Sequence, residues 1–154
     1  VAVEIERKYL VTGDGWRSAI VLQRRIRQGY MASGAVQVRI RRVDDEAFLT
    51  IKGNRKGISR TEYEYPIPPE DADGMLDGLC QHPPIEKIRY EVQHAGHLWE
   101  VDVYAGRLAG LVVAEVELDA IDEDFVRPAW IGEDVTEDRR YSNAVLAEFG
   151  APDR

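Results

Sequence analysis

Cysteine is almost absent. Cys80 is the single one in 154 residues, so no internal disulfide can form, and a reducing cytoplasm is the simplest setting. Histidine is scarce as well. His82, His94 and His97 lie in or beside predicted turns, without the spacing of metal ligands, and read as solvated loop residues. The longest apolar run, LAGLVVA at 108–114, is far too short to cross a bilayer, and no signal-peptide pattern opens the chain. Positive charge is in deficit: 20 Lys and Arg stand against 28 Asp and Glu. The resulting net charge of −8 argues against a nucleic-acid binder. It leaves room for a local basic site, because net charge averages over unlike surfaces. No repeat, low-complexity tract or linker divides the chain, so one domain over 1–154 is expected.

What is present is alternation. Period-2 segments predict strands at 3–11, 24–31, 36–42, 47–53, 60–67, 85–93, 97–106 and 111–119. A short AIVLQ stretch before the second strand reads as helical. Pro69 and Glu70 suit the start of a helix over 69–80, and Gly150 closes one over 141–150. The segment around Pro128, Trp130 and Gly132 reads as a structured loop, and GNRKGIS at 53–59 as a mobile hairpin loop. GNRKGIS lacks the Gly-Lys-Ser/Thr ending of a phosphate loop. Cys80 reads as inert, and Trp99 and Trp130 as packing residues.

Alternation sorts residues onto two faces. One face is mostly apolar. The other carries Glu4, Glu6 and Lys8, then Arg39 and Arg41, then Lys52, then Arg60, Glu62 and Glu64. It continues with Lys87 and Arg89, then Glu100 and Asp102, then Glu115 and Glu117. Taken alone, such a pattern favours a sheet with its charged face in water. Two details oppose this. The signs are sorted by strand, with bases on the third and fourth and paired acids on the seventh and eighth. Two modest helices also cannot cover one side of an open eight-stranded sheet. The expectation is therefore a mainly β fold with peripheral helices: an eight-stranded antiparallel closed barrel with a polar, charged interior. Paired carboxylates hold hard divalent cations and Arg/Lys grip phosphate oxygens, so a polyphosphate with its metal suits such a tunnel. Tyr30 could line it too, or could be structural.

These residues bring the chain close to a known family. Glu4-x-Glu6-x-Lys8 resembles the ExExK signature of the CYTH superfamily, the triphosphate tunnel metalloenzymes. The ordered set EIERKYLV, RQGYM, VQVRIRR, LTIKG, SRTEYEY, EKIRY, EVDVYAG, EVEL and EDVTEDRRYSNAVLA is similar to the small bacterial members over nearly the whole chain. The resemblance implies hydrolysis of inorganic triphosphate with Mg²⁺ or Mn²⁺, by in-line water attack inside the tunnel. The alternatives within the fold are nucleoside or thiamine triphosphatase and class IV adenylate cyclase. A non-catalytic polyphosphate-binding module is the alternative of another class.

Carried over by position, the resemblance gives metal to Glu4, Glu6, Glu62, Glu64, Asp102, Glu115 and Glu117, with Glu100 completing the acidic wall. It gives phosphate to Lys8, Arg39, Arg41, Lys52, Arg60, Lys87, Arg89 and one of Arg139 or Arg140. Relatives often have Lys at the position of Arg139; arginine stays protonated, which suits binding better than proton transfer. Glu4, Glu6, Glu117 and Lys8 are the expected catalytic set, with Lys8 placing phosphate or water first and acting as a base second. The implied partner is a small-molecule triphosphate, with no nucleic acid and no membrane; a homodimer stays open. The helix from about Tyr141 resembles the family's plug helix.

Overall fold

The computed structural model describes residues 3–153. Among these, nine strands and two helices follow the order β1 (Val3–Val11), β2 (Ile20–Ala32), β3 (Gln37–Val43), β4 (Glu46–Lys52), β5 (Ser59–Pro66), α1 (Pro69–Gly78), β6 (Ile85–His94), β7 (His97–Tyr104), β8 (Val112–Glu117), β9 (Ile131–Asp134) and α2 (Asn143–Phe149). Neighbours run β5-β4-β3-β2-β6-β7-β8-β1, all antiparallel, and β1 pairs back onto β5 through Val3↔Thr61 and Ile5↔Ser59. Eight strands thus close into a barrel, and β9 adds a short stretch beside β1. No helix among the described residues is long and apolar enough to cross a membrane.

The apolar face points outward and is covered in patches. Trp16, in a tight helical turn at Gly15–Ala19, and Trp130 bury Trp99, Val101 and Val116. The Trp99 and Trp130 rings meet edge to face at 5.6 Å. On the other side, Ala72 and Leu76 of α1 cover Ile40 and Ala47. The close approach of this helix's end explains the glycine in RQGYM: a Cβ on Gly29 would stand 2.8 Å from Cys80 Sγ. Cys80 is thus a packing residue, and burial pushes its thiol pKa up.

The inward face changes character along the barrel axis. Beyond the charged residues it turns apolar at one end, through Leu10, Ile85, Tyr104 and Val113, and α2 packs there with Leu146 and Ala147. Ser142 caps this helix by accepting the Val145 N–H, and Gly150 ends it at φ 80°. Leu146 is fully buried. Leu146→Ala should cost about 2–5 kcal/mol and lower the denaturation midpoint in a urea titration. An unchanged midpoint would mean the plug is not packed as described.

Three expectations need correction. AIVLQ is not helical: from Ile20 it belongs to β2, 13 residues long, whose first half pairs with β6 and whose second half pairs with β3. Its β-branched start favours the extended form once β6 offers a partner. The stretch after Trp130 holds a strand, β9, that a four-residue segment gives no periodicity to announce. His97 is not a solvated loop residue; it starts β7, bonds Glu123 at 2.6 Å and packs on Phe125.

Candidate active site

The inward charges form two arcs. Going round the barrel, acids come from β7 (Glu100), β8 (Glu115, Glu117), β1 (Glu4, Glu6) and β5 (Glu62, Glu64), four consecutive staves. Bases come from β4 (Lys52), β3 (Arg39, Arg41) and β6 (Lys87, Arg89), with Gln28 and Tyr30 of β2 between them. A cavity of about 310 Å³ lies between the arcs, lined by seven carboxylates and seven cations. Strand parity delivers each residue. Glu6↔Glu117 and Lys8↔Glu115 are directly opposed across β1 and β8, and Arg39↔Thr50 and Thr50↔Glu64 step across β3, β4 and β5.

Where the arcs meet, ion pairs join them. At one meeting Lys52 Nζ lies 3.0 Å from Glu4 and 3.2 Å from Glu62. At the other, Asp102 accepts Arg89 Nε at 2.8 Å and Nη2 at 2.9 Å, while Lys87 Nζ lies 2.6 Å away. Away from these meetings the charges are less well matched. Arg41 has no carboxylate within 4 Å among the described residues; its Nε donates to Gln28, whose amide donates to the Tyr30 hydroxyl. Burial lowers the Arg41 pKa to about 10, with Arg39 and Arg89 adding to the effect. The buried Arg39 Nε has no hydrogen-bond partner, a costly state unless an anion supplies one.

The acids are mismatched in the opposite sense. Burial and then Glu115 push Glu6 well above the usual carboxylate range. Burial would raise Glu115 as well, but Lys8, Glu6, Arg89 and Lys87 together outweigh it and Glu115 falls well below. Glu62 is raised by burial and by its hydrogen bond to Glu4, and Glu117 by burial and by Glu4. Burial would raise Glu4 too, but Lys52 and Glu62 together outweigh it and Glu4 falls below its ordinary value. Two carboxyl pairs, Glu6–Glu115 and Glu4–Glu62, thus have one member raised and one lowered, the electrostatic pattern of neighbours that can share a proton. A cation arriving between them would take that proton's place.

Most of the residues singled out from the sequence come together here. Glu4, Glu6, Lys8, Arg39, Arg41, Lys52, Arg60, Glu62, Glu64, Arg89, Glu115 and Glu117 all line the cavity, as does Glu100. Lys8 Nζ donates to the Tyr141 carbonyl at 3.2 Å and lies 3.8 Å from Glu115. Arg60 spends two donors on the Gly53 carbonyl. Lys87 and Asp102 stand behind the lining: both are buried, and Asp102 has each oxygen engaged by a cation. Burial lowers the Lys87 pKa to about 7 against the pull of Asp102. Arg140 is exposed and bound to Asp138 at 2.7 Å, whereas Arg139 lines a neighbouring cavity that shares Lys8.

Sequence reasoning passed over Arg55, Ser142 and Asn143. Arg55 sits in the β4–β5 loop and reaches back to Glu6 at 3.6 Å. A loop carries no period to assign its side chains. Its signal was the base-rich NRK placed between two tunnel strands. Asn143, first residue of α2, accepts the Tyr104 hydroxyl at 2.5 Å and Lys87 Nζ at 3.5 Å, tying the plug to the basic arc.

The donor chemistry suits a hard divalent cation. Among the described residues no three acid, His or Cys side chains converge into a ready-made cage. That matches a small cation held by one or two carboxylates and completed by phosphate oxygens and water. Among the described residues the lining holds one aromatic ring, Tyr30, and no aliphatic side chain.

Known proteins resemble this chain in sequence and fold. A family model described as the CYTH domain matches residues 2–144. An inorganic triphosphatase of Acetivibrio thermocellus is 46% identical over 148 residues, which are 94% of this chain and 93% of that protein. One of Nitrosomonas europaea is 40% identical over 151 residues, 94% and 96% of the two chains. A solved structure described as the inorganic triphosphatase NE1496 aligns with a TM-score of 0.67 at 36% identity, covering 96% of this chain and 95% of its own.

Proposed function

The chain belongs to the CYTH-domain family, and on that premise we propose that it hydrolyses inorganic triphosphate to pyrophosphate and orthophosphate inside the barrel. One observation carries the reading: Arg41, with no carboxylate within 4 Å among the described residues, and Arg39, with its Nε unpartnered, face carboxyls raised above their ordinary range across a single cavity. An anion alone would leave the acids unmatched, and a cation alone would leave the bases so. A triphosphate with its divalent cation answers both. The names of the two relatives support the same chemistry.

Arg39, Arg41 and Arg89 hold the phosphate oxygens from the basic arc, with Lys52 and Arg60 nearer the β5 meeting and Lys87 behind them. One or two of Glu4, Glu6, Glu115 and Glu117 would ligate Mg²⁺ or Mn²⁺ directly and the others through water, with Glu62, Glu64 and Glu100 around them. When bound, the cation would neutralise phosphoryl oxygens and acidify the attacking water. Lys8 orients the terminal phosphoryl group beside Glu115, so that water attacks in line with the bridging oxygen. Asp102 acts through Arg89 and Lys87, holding both cations in place.

Ordinary kinetics test this. Purified protein with Mg²⁺ or Mn²⁺ should release phosphate faster from tripolyphosphate than from ATP, thiamine triphosphate or pyrophosphate, and should form no cyclic AMP. Fastest release from ATP, or formation of cyclic AMP, would sink the proposal. The raised carboxyls add a pH dependence. Glu6, Glu62 and Glu117 hold protons to higher pH than ordinary carboxyls and must lose them to ligate. Mg²⁺ affinity should therefore rise with pH above the ordinary carboxylate range, and binding should release protons. Calorimetric titration in two buffers of unlike ionisation enthalpy measures that release; equal heats in both would contradict it.

A further inference from the structure

Along one edge, β1 changes partners. Val3–Ile5 pair with β5, and the Glu6 N–H donates to the Ile58 carbonyl at 3.3 Å. From Lys8 onward the same edge meets β9 and the segment after it. The Val135 N–H donates to the Lys8 carbonyl at 2.9 Å, and the Lys8 N–H donates to Thr136 Oγ1 at 2.9 Å. The barrel wall therefore has a seam between Glu6 and Lys8. The β4–β5 loop borders it on one side and residues 135–139 on the other.

A second cavity, of about 210 Å³, opens at this seam. It shares Lys8, Arg55 and Ser142 with the tunnel, so the two spaces adjoin at these residues. Arg139 joins them, with no carboxylate within 4 Å of it among the described residues. Asp138 is already taken: Arg140 Nε and Nη2 donate to it at 3.0 and 2.7 Å. On the tunnel side Lys8 lies 3.8 Å from Glu115 and Arg55 3.6 Å from Glu6, and Glu137 is the other acid of the lining, so Arg139 is the cation without an ion pair among the described residues. The cavity therefore favours an anion, and it lies directly behind the lysine that touches the tunnel.

We infer that this side cavity is a second anion site, taking a single orthophosphate between Lys8, Arg55 and Arg139. It is the place into which the group split from the end of a triphosphate moves on its way out through the wall. The inference rests on the reading of the tunnel given above. Lys8 is reached from both spaces, so a phosphate it holds need only turn toward Arg139 to leave sideways. Pyrophosphate can meanwhile stay on the basic arc.

Inorganic phosphate is the probe, titrated calorimetrically into the metal-free full chain. Arg139→Gln should weaken its binding about tenfold, the loss of one charge-assisted hydrogen-bonding group. Glu137→Gln should tighten it several-fold by removing the opposing charge. Damage to the fold cannot produce shifts of opposite sign. Binding within twofold of the parent in both variants, or weakened in both, would overturn the site. Tripolyphosphate hydrolysis is scored separately on the same preparations. Opposite shifts without hydrolysis would remove the reading of the tunnel and leave the anion site standing; hydrolysis without the shifts would do the reverse.

Discussion

Glu6→Gln should make the protein more stable and nearly inactive. Burial, Glu115 and Glu4 all disfavour the charged form of Glu6, so its folded-state pKa is raised. A raised carboxyl loses protons more readily in the unfolded chain, and at pH 7 to 8 its charge opposes folding. A neutral amide of the same shape relieves that cost and can still donate to Glu115. Melting of the metal-free variant should therefore rise by a few degrees, about 2–4 °C for each kcal/mol relieved in a chain of this size. Phosphate release from tripolyphosphate should fall on the order of 10²-fold or more, since a lost ligand forfeits several kcal/mol of charge stabilisation. A variant that melts lower would contradict the electrostatics, and one that keeps full activity would contradict the assignment of Glu6 to the cation.

Asp102→Ala should do the opposite to stability. Its carboxylate is 2% exposed and holds Arg89 through two hydrogen bonds and Lys87 at 2.6 Å. Removing it leaves buried Lys87 without an ion-pair partner among the described residues and Arg89 with Glu100 alone, at 3.3 Å, a cost of about 3–5 kcal/mol. The melting temperature should drop by roughly 6–20 °C. Burial would raise the Asp102 pKa, but Arg89 and Lys87 outweigh it and hold it far below the ordinary value of 3.8. A depressed carboxyl contributes stability above its unfolded pKa and loses it as pH falls toward the folded one. Lys87, at about 7 beside Asp102, falls lower without it, so the gap between parent and variant should be wide near pH 5 and narrow toward pH 7 as the unpaired Lys87 sheds its proton. Scanning calorimetry at several pH values measures this. No gap near pH 5 would show that Asp102 does not anchor the basic arc.

Much of this site could be read along the strands, for a physical reason. Side chains alternate with a period of two, so Glu4, Glu6 and Lys8 had to share a face, and so did Glu115 and Glu117. The sorting of signs by strand then pointed to closure, because a ring places acidic staves opposite basic ones. Alternation could not report depth. Glu100 and Asp102 have the same parity, yet Glu100 lines the cavity while Asp102 stands behind it, buried between Arg89 and Lys87. Nor could it assign Arg55, whose loop has no period, or choose between Arg139 and Arg140, which sit in a short helical turn at Arg139–Tyr141. The extra turn of strand at Ile20–Leu22 escaped for a related reason. Its length is fixed by β6, a partner more than 60 residues away in sequence.

The central claim is that the two arcs bind one ligand together, a triphosphate and its cation. Calorimetric titration of the non-hydrolysable imidotriphosphate, with and without Mg²⁺, tests it most directly. The account predicts one ligand per chain, bound much more tightly with Mg²⁺ than after chelation, and loss of that binding in Arg41→Gln. Equal affinity with and without the cation, undiminished in Arg41→Gln, would contradict it.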